Sequence, residues 1–268
     1  MIMTQRFDDK VLIVTGGNQG IGRAASVAAA HLGASVVVAS RTEKTGIETV
    51  GIIEKSEGRA IYVQTDVSDE ASVVNMVKKT LESFGSIDMA FNNAGGGATS
   101  ANPVSTLEQS VEDWDTTINN NLKGTWLCMK HEIPAMLEAG QGSIVNMSSI
   151  AGVRPVPVGG PSYTAAKSGI AGLTGMTGLE FAGRGIRINA VAPTVTLTER
   201  WHRDLEDKPE LKNVISEIMP MSRPGNVEEV VNAVLWLLSE SSSYVTGQTL
   251  SVDGAHSDSI GGYQSPRR

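Results

Sequence analysis

Short apolar runs, rich in β-branched residues, alternate along the chain with longer segments of helix-forming residues. The first run, KVLIVTGG (10–17), stops at two glycines, and IGRAASVAAAHLG (21–33) follows it closely. This order predicts a strand, a tight turn and a helix. Six further runs predict strands: ASVVVAS (34–40), AIYVQTD (60–66), SIDMAFNNAG (86–95), GSIVNMSS (142–149), IRINAVAP (186–193) and QTLSVDG (248–254).

Helical segments fill the intervals between the predicted strands. They cover residues 43–57, 69–85, 114–139, 163–182 and 225–240. Strands that are apolar at nearly every position are typical of a parallel sheet covered on both faces. Seven strands alternating with helices therefore predict an α/β fold, a doubly wound parallel sheet with helices on both faces.

Composition narrows the class of protein further. A hydrophobic content of 40% in 268 residues, with no linker rich in proline or serine, predicts one domain over 1–268 and a polar tail over about 255–268. The net charge of −7 argues against binding to nucleic acid, which needs a basic face. The apolar runs are far shorter than the roughly 20 residues of a membrane span. The single Cys128 cannot form an internal disulfide and MIMTQRFDDK resembles no secretory signal, so we expect a cytoplasmic protein.

A glycine-rich turn follows the first strand. The glycines of TGGNQGIG (15–22) leave room for a pyrophosphate to approach the N-terminus of the next helix. The predicted cofactor contacts in this turn are Gly16, Asn18, Gly20, Ile21 and Gly22. The spacing is GxxxGxG instead of the commonest GxGxxG, and a plain connector between strand and helix is the alternative. The position of the turn in the first βαβ unit favours the nucleotide site.

The tips of the next two strands indicate which dinucleotide would bind. A carboxylate after the second strand bonds the ribose 2′-hydroxyl, whereas a cation there accommodates a 2′-phosphate. Ser40 and Arg41 stand at this tip and Glu43 lies further on, which favours NADP(H), with NAD(H) as the alternative cofactor. A solvated side chain is the other interpretation of Arg41. Asp66 and Val67 follow the third strand and could contact the adenine, or Asp66 could cap the next helix.

Three side chains predict acid–base chemistry. Tyr163 and Lys167 are four residues apart, so a helix places them on one face, about 5–6 Å apart at Cβ. A nearby ammonium stabilises a phenolate and lowers the tyrosine pKa from its ordinary value of about 10. Ser149 ends a strand at the carboxyl edge of the sheet, where its hydroxyl could donate to a substrate oxygen. An exposed tyrosine–lysine pair is the alternative for YxxxK taken alone.

Together these motifs resemble those of the short-chain dehydrogenase/reductase family. In the family's order they are TGGNQGIG (15–22), NNAG (92–95), SS (148–149), YTAAK (163–167) and VTGQTLSVDG (245–254). The resemblance spans about residues 10–254. It implies a Rossmann-type, seven-stranded sheet and reversible NAD(P)-dependent oxidation of an alcohol.

The resemblance also implies a catalytic tetrad of Asn121, Ser149, Tyr163 and Lys167. In that scheme Tyr163 exchanges the alcohol proton and Ser149 polarises the substrate oxygen. Lys167 lowers the tyrosine pKa and holds the nicotinamide ribose, and Asn121 holds a water for proton relay. Besides Tyr163 and Lys167, the further cofactor contacts that it implies are Asn93, Ala94, Gly95, Pro193, Thr196 and Thr198.

The chain departs from the family pattern at two places. Thr194 follows Pro193 where the family usually has glycine. Tyr163 lies 14 residues after Ser149, one more than the commonest family spacing. We expect the remaining wall of the substrate pocket from three segments: GGGATS (95–100), the loop RPVPVGGP (154–161) and a mobile lid over about 194–222.

The sequence thus predicts an NADP(H)-preferring oxidoreductase that interconverts a secondary alcohol and a ketone on a small or cyclic substrate by hydride transfer. The family resemblance also implies that the protein forms a homotetramer. A catalytically silent, dinucleotide-binding regulator on the same fold is the alternative. A serine hydrolase is disfavoured because no GxSxG surrounds Ser149, and a metal enzyme because cysteine and histidine show no ligand spacing, so no metal is predicted. A methyltransferase would leave Ser149, Tyr163 and Lys167 without a purpose.

Overall fold

The computed structural model describes residues 6–96, 105–154, 156 and 159–258. Some predicted features lie outside the described residues: 97–100 of the pocket wall, 155, 157 and 158 of the proline-rich loop, and 259–268 of the polar tail. All seven predicted strands fall within the described part of the chain.

Seven parallel strands form the central sheet, which confirms the predicted fold. They are β1 (Val11–Thr15), β2 (Ser35–Ser40), β3 (Arg59–Gln64), β4 (Met89–Asn92), β5 (Gly142–Met147), β6 (Ile186–Pro193) and β9 (Thr249–Val252), and a separate two-stranded sheet consists of β7 (Thr196–Leu197) and β8 (Gly225–Asn226). The order in the sheet is β3-β2-β1-β4-β5-β6-β9, and every neighbouring pair is parallel. The strand order reverses between β1 and β4. In such sheets ligands bind outside the carboxyl ends of the strands, next to this switch point.

Helices cover both faces of the sheet. They are α1 (Gly20–His31), α2 (Glu43–Lys55), α3 (Glu70–Phe84), α4 (Val111–Ile118), α5 (Gly124–Glu138), α6 (Gly160–Phe181), α7 (Glu199–Asp207), α8 (Leu211–Ile218) and α9 (Val227–Leu238). Leu12 and Val14 of β1 pack with α1 and α9, whereas Ile13 packs with α3 and α5 on the other face. Because both faces are buried, the strands show almost no alternation of polar and apolar residues.

The helix predicted at 114–139 differs from the structure in its start and its course. α4 already begins at Val111, where the Ser110 hydroxyl accepts a hydrogen bond from Asp113 N (3.0 Å). Asn119–Lys123 then form a short π-helix before α5 continues the same path. π-helical turns occur mostly at functional sites. This one carries Asn121, the asparagine of the predicted tetrad.

The segment predicted as a lid contains two short helices that the sequence patterns did not indicate. α7 and α8 enclose a small core of Leu205, Ile215 and Met219. The two-residue strands β7 and β8 pair with each other and tie the start of the segment to the residues before α9. The segment therefore has its own packing, and its motion stays a prediction.

Two glycines of α2 test how closely this helix packs on the sheet. A Cβ at Gly46 would overlap the Tyr62 ring, which is held by a hydrogen bond from its hydroxyl to Ser40 O (2.8 Å). A Cβ at Gly51 meets nothing within 4 Å. We expect Gly46→Ala to lower the free energy of unfolding by about 1–3 kcal/mol because it overpacks the contact. Gly51→Ala should raise that free energy by about 0.5–1 kcal/mol. Urea denaturation measures both, and equal effects would contradict this packing.

Candidate active site

The glycine turn after β1 is shaped by three residues that a larger side chain would disturb. Gly16 and Gly20 have positive φ angles of 65° and 52°, in the region that favours glycine. A Cβ at Gly22 would overlap the carbonyl oxygen of Gly16. Gln19, which precedes α1, makes no side-chain cap, so its side chain does not satisfy the first amides of this helix. Ile21 packs against the adjoining core.

Two side chains brace the outer part of this turn. Asn18 is buried and its Nδ2 donates to the Thr45 hydroxyl (2.8 Å). The Arg23 guanidinium donates to Asn18 O through Nη2 (2.7 Å) and to the Thr49 hydroxyl through Nε (3.2 Å). The sequence analysis overlooked Arg23, whose only signal is a cation in the first turn of an alanine-rich helix. It fixes the backbone of the turn from the side of α2.

The NNAG segment supports the same turn from β4. Asn93 Nδ2 donates to Thr15 O (3.0 Å), and Ala94 N donates to the Thr15 hydroxyl (3.0 Å). Gly95 has a φ of 144°, and a Cβ there would lie 2.5 Å from Asn121 Oδ1. The structure thus places Asn93 and Ala94 beside the glycine turn and Gly95 beside Asn121.

The tip of β2 carries the side chains that were predicted to select the dinucleotide. Ser40 is buried, whereas Arg41 is exposed and its guanidinium forms no ion pair within 4 Å in the described part of the chain. Burial raises the pKa of Asp66, but hydrogen bonds from Ser68 and the charge of Arg41 outweigh it, so this pKa lies below its ordinary value. The positive charge of Arg41 therefore acts on the carboxylate that follows β3.

Asp66 does not cap the following helix, so that alternative was wrong. Its Oδ1 accepts hydrogen bonds from Ser68 N (2.9 Å) and from the Ser68 hydroxyl (2.7 Å). Asp69 is the N-cap of α3 and accepts from Ala71 N (3.2 Å). Val67 is buried, and its side chain packs where a Cβ at Gly124 would intrude. Asp66 and Val67 remain at the carboxyl end of β3, as predicted from the sequence.

Ser149, Tyr163 and Lys167 come together beyond the end of β5. Ser149 begins a short 3₁₀ turn, its hydroxyl accepts from Ala151 N (3.2 Å), and it lies close enough to the Tyr163 hydroxyl to lower the pKa of that group. Tyr163 lies in the first turn of α6, and Lys167 follows one turn later. Lys167 Nζ lies 5.5 Å from the centre of the Tyr163 ring and donates to Met147 O (2.9 Å). Gly152 allows the 3₁₀ turn to touch the backbone of Lys167.

Burial dominates the acid–base properties of this cluster. It lowers the pKa of the Lys167 ammonium to about 8, because the charged form loses its hydration. It also raises the pKa of Tyr163, against the opposing hydrogen bond with Ser149. The lower tyrosine pKa expected from the sequence is therefore not observed. The physical reason is that Lys167 lies beside the ring and is itself easily neutralised, so its charge does not offset the desolvation of the phenolate.

Asn121 is fully buried on the short π-helix, and its amide is held by backbone groups. Nδ2 donates to Thr117 O (2.9 Å) and to Gly96 O (3.0 Å), while Oδ1 accepts from Gly96 N (3.1 Å). Asn121 thus links α4 to the segment after NNAG in this structure.

The residues after β6 reach the glycine turn from the other side. Pro193 ends β6, and the Thr194 hydroxyl lies 2.8 Å from His256 Nδ1. The Thr196 hydroxyl donates to Thr194 O (3.0 Å). Thr198 is the N-cap of α7, and its Cγ2 lies 3.3 Å from the position of a Cβ at Gly20. The structure therefore brings Thr198 to the turn, and Thr194, where the family usually has glycine, instead contacts the chain after β9.

Glu199 is a residue that the sequence analysis missed. Its Oε2 accepts a hydrogen bond from Gly20 N (3.1 Å), and its Oε1 lies 3.8 Å from Arg23 Nη1. A carboxylate on this amide shows that the N-terminus of α1 is directed at an anion, so the turn fits the phosphates of a dinucleotide. No local pattern could have revealed it, because Gly20 and Glu199 are 179 residues apart.

Two absences apply to the described part of the chain. Its histidine, cysteine and acidic side chains form no group of three or more that could hold a metal ion. None of its helices is both long and apolar enough to cross a membrane.

The fold and the site define a class, a Rossmann-type α/β protein with serine, tyrosine and lysine beside a glycine turn. A family model described as enoyl-(acyl carrier protein) reductase, one of those for short-chain dehydrogenases/reductases, matches residues 16–256. The chain belongs to the short-chain dehydrogenase/reductase family, which confirms the resemblance seen in its motifs. It is an NAD(P)-dependent oxidoreductase.

Known relatives match the chain over nearly its whole length. The 2,5-dichloro-2,5-cyclohexadiene-1,4-diol dehydrogenase of Sphingobium indicum is 38% identical over 246 residues, which cover 91% of this chain and 96% of the relative. The cyclohexanol dehydrogenase of an Acinetobacter species is 36% identical over 256 residues, 95% of this chain and 98% of the relative. The crystal structure of levodione reductase superposes with a TM-score of 0.88 at 32% identity, covering 95% of this chain and 100% of that one.

The Glu199 contact leads to a prediction for cofactor affinity. We expect Glu199→Gln to tighten NADPH binding about two- to fivefold, because the variant removes a negative charge from an amide that the pyrophosphate needs. Titration of NADPH fluorescence measures the dissociation constant. Glu206→Gln, the same change on the exposed side of α7, serves as the control. Unchanged or weaker binding in Glu199→Gln would show that the carboxylate does not compete with the cofactor.

Proposed function

We propose that this enzyme is an NADP(H)-preferring oxidoreductase that interconverts a secondary alcohol and a ketone. The observation that carries the proposal is the cluster of Ser149, Tyr163 and Lys167 at the carboxyl edge of the sheet, where the glycine turn also lies. A dinucleotide held at this turn would provide the chemistry of hydride transfer to or from the substrate carbon. The relatives named for cyclohexanol and for a cyclohexadiene diol support a small cyclic substrate.

Tyr163 is the proposed acid and base. During reduction its hydroxyl gives a proton to the carbonyl oxygen, and during oxidation the phenolate takes the proton of the alcohol. The proximity of Ser149 to the Tyr163 hydroxyl supports this role, and we propose that the serine hydroxyl contacts the same substrate oxygen and polarises it. The raised pKa of Tyr163 favours its protonated form, which is the form that reduction consumes.

Lys167 and Asn121 are the proposed means of exchanging this proton with solvent. With a pKa of about 8, Lys167 gains or loses a proton at small cost near neutral pH. Its proposed second contact is the nicotinamide ribose. Asn121 would hold a relay water once its amide is shared between that water and the Gly96 backbone. The proposed contacts to the rest of the cofactor are those predicted from the sequence.

Arg41 supports the preference for NADP(H). It is exposed at the tip of β2, where the ribose 2′-position of a bound dinucleotide would lie. Glu43 begins α2 and does not stand at the tip itself. A forked guanidinium can bond a 2′-phosphate with two donors.

We also propose a mobile lid, a homotetramer and a cytoplasmic location for this enzyme. The small core of Leu205, Ile215 and Met219 supports a lid over 194–222 that moves as one unit. The exposed large apolar side chains of α5 and α6, Trp126, Met176 and Leu179, support a homotetramer. A single, buried Cys128 is in keeping with the reducing cytoplasm.

The role of Tyr163 is tested by removing one oxygen atom. We expect Tyr163→Phe to lower kcat for reduction of a cyclic ketone by about 10²- to 10⁴-fold, because the proton donor is lost. The NADPH dissociation constant should stay nearly unchanged, as the ring is kept. Tyr244→Phe is the matched control, since Tyr244 is fully exposed. Substantial turnover by the Tyr163 variant would exclude its role as acid and base.

The role of Arg41 is tested by reversing its charge. We expect Arg41→Asp to lower the ratio of kcat/KM for NADPH to that for NADH by about 10- to 100-fold, the worth of a charged hydrogen bond. The aspartate should favour the free 2′-hydroxyl of NADH. Arg59→Asp makes the same change at the amino end of β3 and should leave the ratio alone. If both variants keep the wild-type ratio, Arg41 does not contact the 2′-phosphate.

A further inference from the structure

A buried carboxyl group lies beneath the site and has no part in the proposed reaction. Glu132, on α5, has no exposed surface. Its Oε2 accepts a hydrogen bond from Asn92 Nδ2 (3.0 Å). Among the described residues its Oε1 has no hydrogen-bond partner, and neither does Asn92 Oδ1. Two unpaired oxygens thus belong to two side chains that are already bonded to each other. Buried polar atoms are rarely left in that state.

Within the described part of the chain, no cationic side chain pairs with Glu132. β5 contributes Asn146, whose Oδ1 accepts from Asn92 Nδ2 (3.2 Å) and whose Nδ2 donates to the Thr174 hydroxyl of α6 (3.0 Å). On α5 itself the nearest titratable neighbour is the Cys128 thiol, whose pKa burial and Glu132 both raise. α3 presents the carboxylate of Glu70 to α5, but Lys130 and His131 bind it at the surface.

An ionised carboxylate would be costly in this position. Among the described residues it would keep one hydrogen bond, have no cation as a partner and leave Oε1 unpaired. A neutral acid instead carries a hydrogen on Oε1, and Asn92 Oδ1 is the acceptor left for it. One proton therefore satisfies both unpaired atoms at once.

We propose that Glu132 is a neutral carboxylic acid in the folded enzyme, paired with Asn92 through two hydrogen bonds, and that this pair positions the cofactor site. Asn92 ends β4 and is followed by the two residues that bind Thr15, Asn93 and Ala94. Thr15 in turn ends β1 and leads into the glycine turn. Glu132 is a positioning residue, since it acts on the turn through Asn92. The inference rests on the proposed cofactor contacts of that turn.

Because Glu132 can lose its proton, the support that the Glu132–Asn92 pair gives to the turn depends on pH. Burial raises the pKa of Glu132 to about 7, and the hydrogen bond from Asn92 lowers it only in part. The unfolded chain releases this proton near pH 4.3, so the folded state holds it over the interval between the two values. Stability from this group is therefore present at low pH and is lost as pH rises through about 7. Above that pH the carboxylate repels Asn92 Oδ1 and loosens the support of the turn.

The variant Glu132→Gln tests the pair with a side chain that cannot ionise. A glutamine amide can donate to Asn92 Oδ1 and accept from Asn92 Nδ2, so it keeps both bonds without titrating. We expect the wild-type dissociation constant for NADPH to rise severalfold from about one pH unit below to one above the pKa of Glu132. Relative to wild type, this variant should lose that rise. Glu138→Gln, at the exposed end of α5, should keep it.

Infrared spectroscopy of the enzyme without cofactor provides a second readout. The wild type should show the carbonyl stretch of a protonated carboxylic acid at mildly acidic pH, and Glu132→Gln should lack it. Absence of this band in the wild type would overturn the proposal in favour of a water-bridged carboxylate. A band that is present, with the same pH dependence of binding in both proteins, would refute the positioning role. The band needs no turnover, so it distinguishes this inference from a failure of the proposed reaction.

Discussion

The close approach of α1 to the turn after β1 is the constraint on which the site depends. With no Cβ, Gly22 leaves space for the carbonyl of Gly16, so the helix starts directly at the end of the strand. The same carbonyl lies 3.4 Å from Asn93 Nδ2, which also bonds Thr15 O. The turn is therefore clamped between its own helix and β4. A larger residue at position 22 would displace both contacts together, because interiors are too densely packed to absorb a methyl group without movement.

Polar side chains cross the centre of the sheet where apolar packing would be simpler. Asn92, Asn146 and Glu132 join β4, β5 and α5 by buried hydrogen bonds. Such networks are costly unless every member is satisfied, and they define one arrangement when they are. Register matters at this place because the ends of β4 and β5 lead into the NNAG segment and into Ser149. The network therefore ties the two halves of the site to one geometry of the sheet.

The sequence was sufficient to predict the strands of the sheet and the grouping of several side chains of the candidate site. Seven apolar runs stand out because both faces of the sheet are buried, and the spacing of Tyr163 and Lys167 places them on one helical face. α7 and α8 were not foreseen, since their small core joins residues that show no long period. The π-helix around Asn121 was hidden because composition does not distinguish it from an α-helix. The contact of Glu199 with Gly20 depends on tertiary folding alone.

Burial, more than attraction between charges, determines the chemistry available to the proposed site. In water a lysine would hold its proton firmly at neutral pH and the tyrosine beside it would gain from the positive charge. Here desolvation lowers the pKa of Lys167 to about 8, so the amine is easily neutralised, and raises that of Tyr163, so the phenol is held in its protonated form. In the proposed reduction, Lys167 can then pass a proton from solvent to the phenolate, because the raised pKa of Tyr163 favours its reprotonation. The dry environment that penalises charge is thus what allows the lysine to exchange a proton, and a well-solvated pair at the same spacing would lack this property.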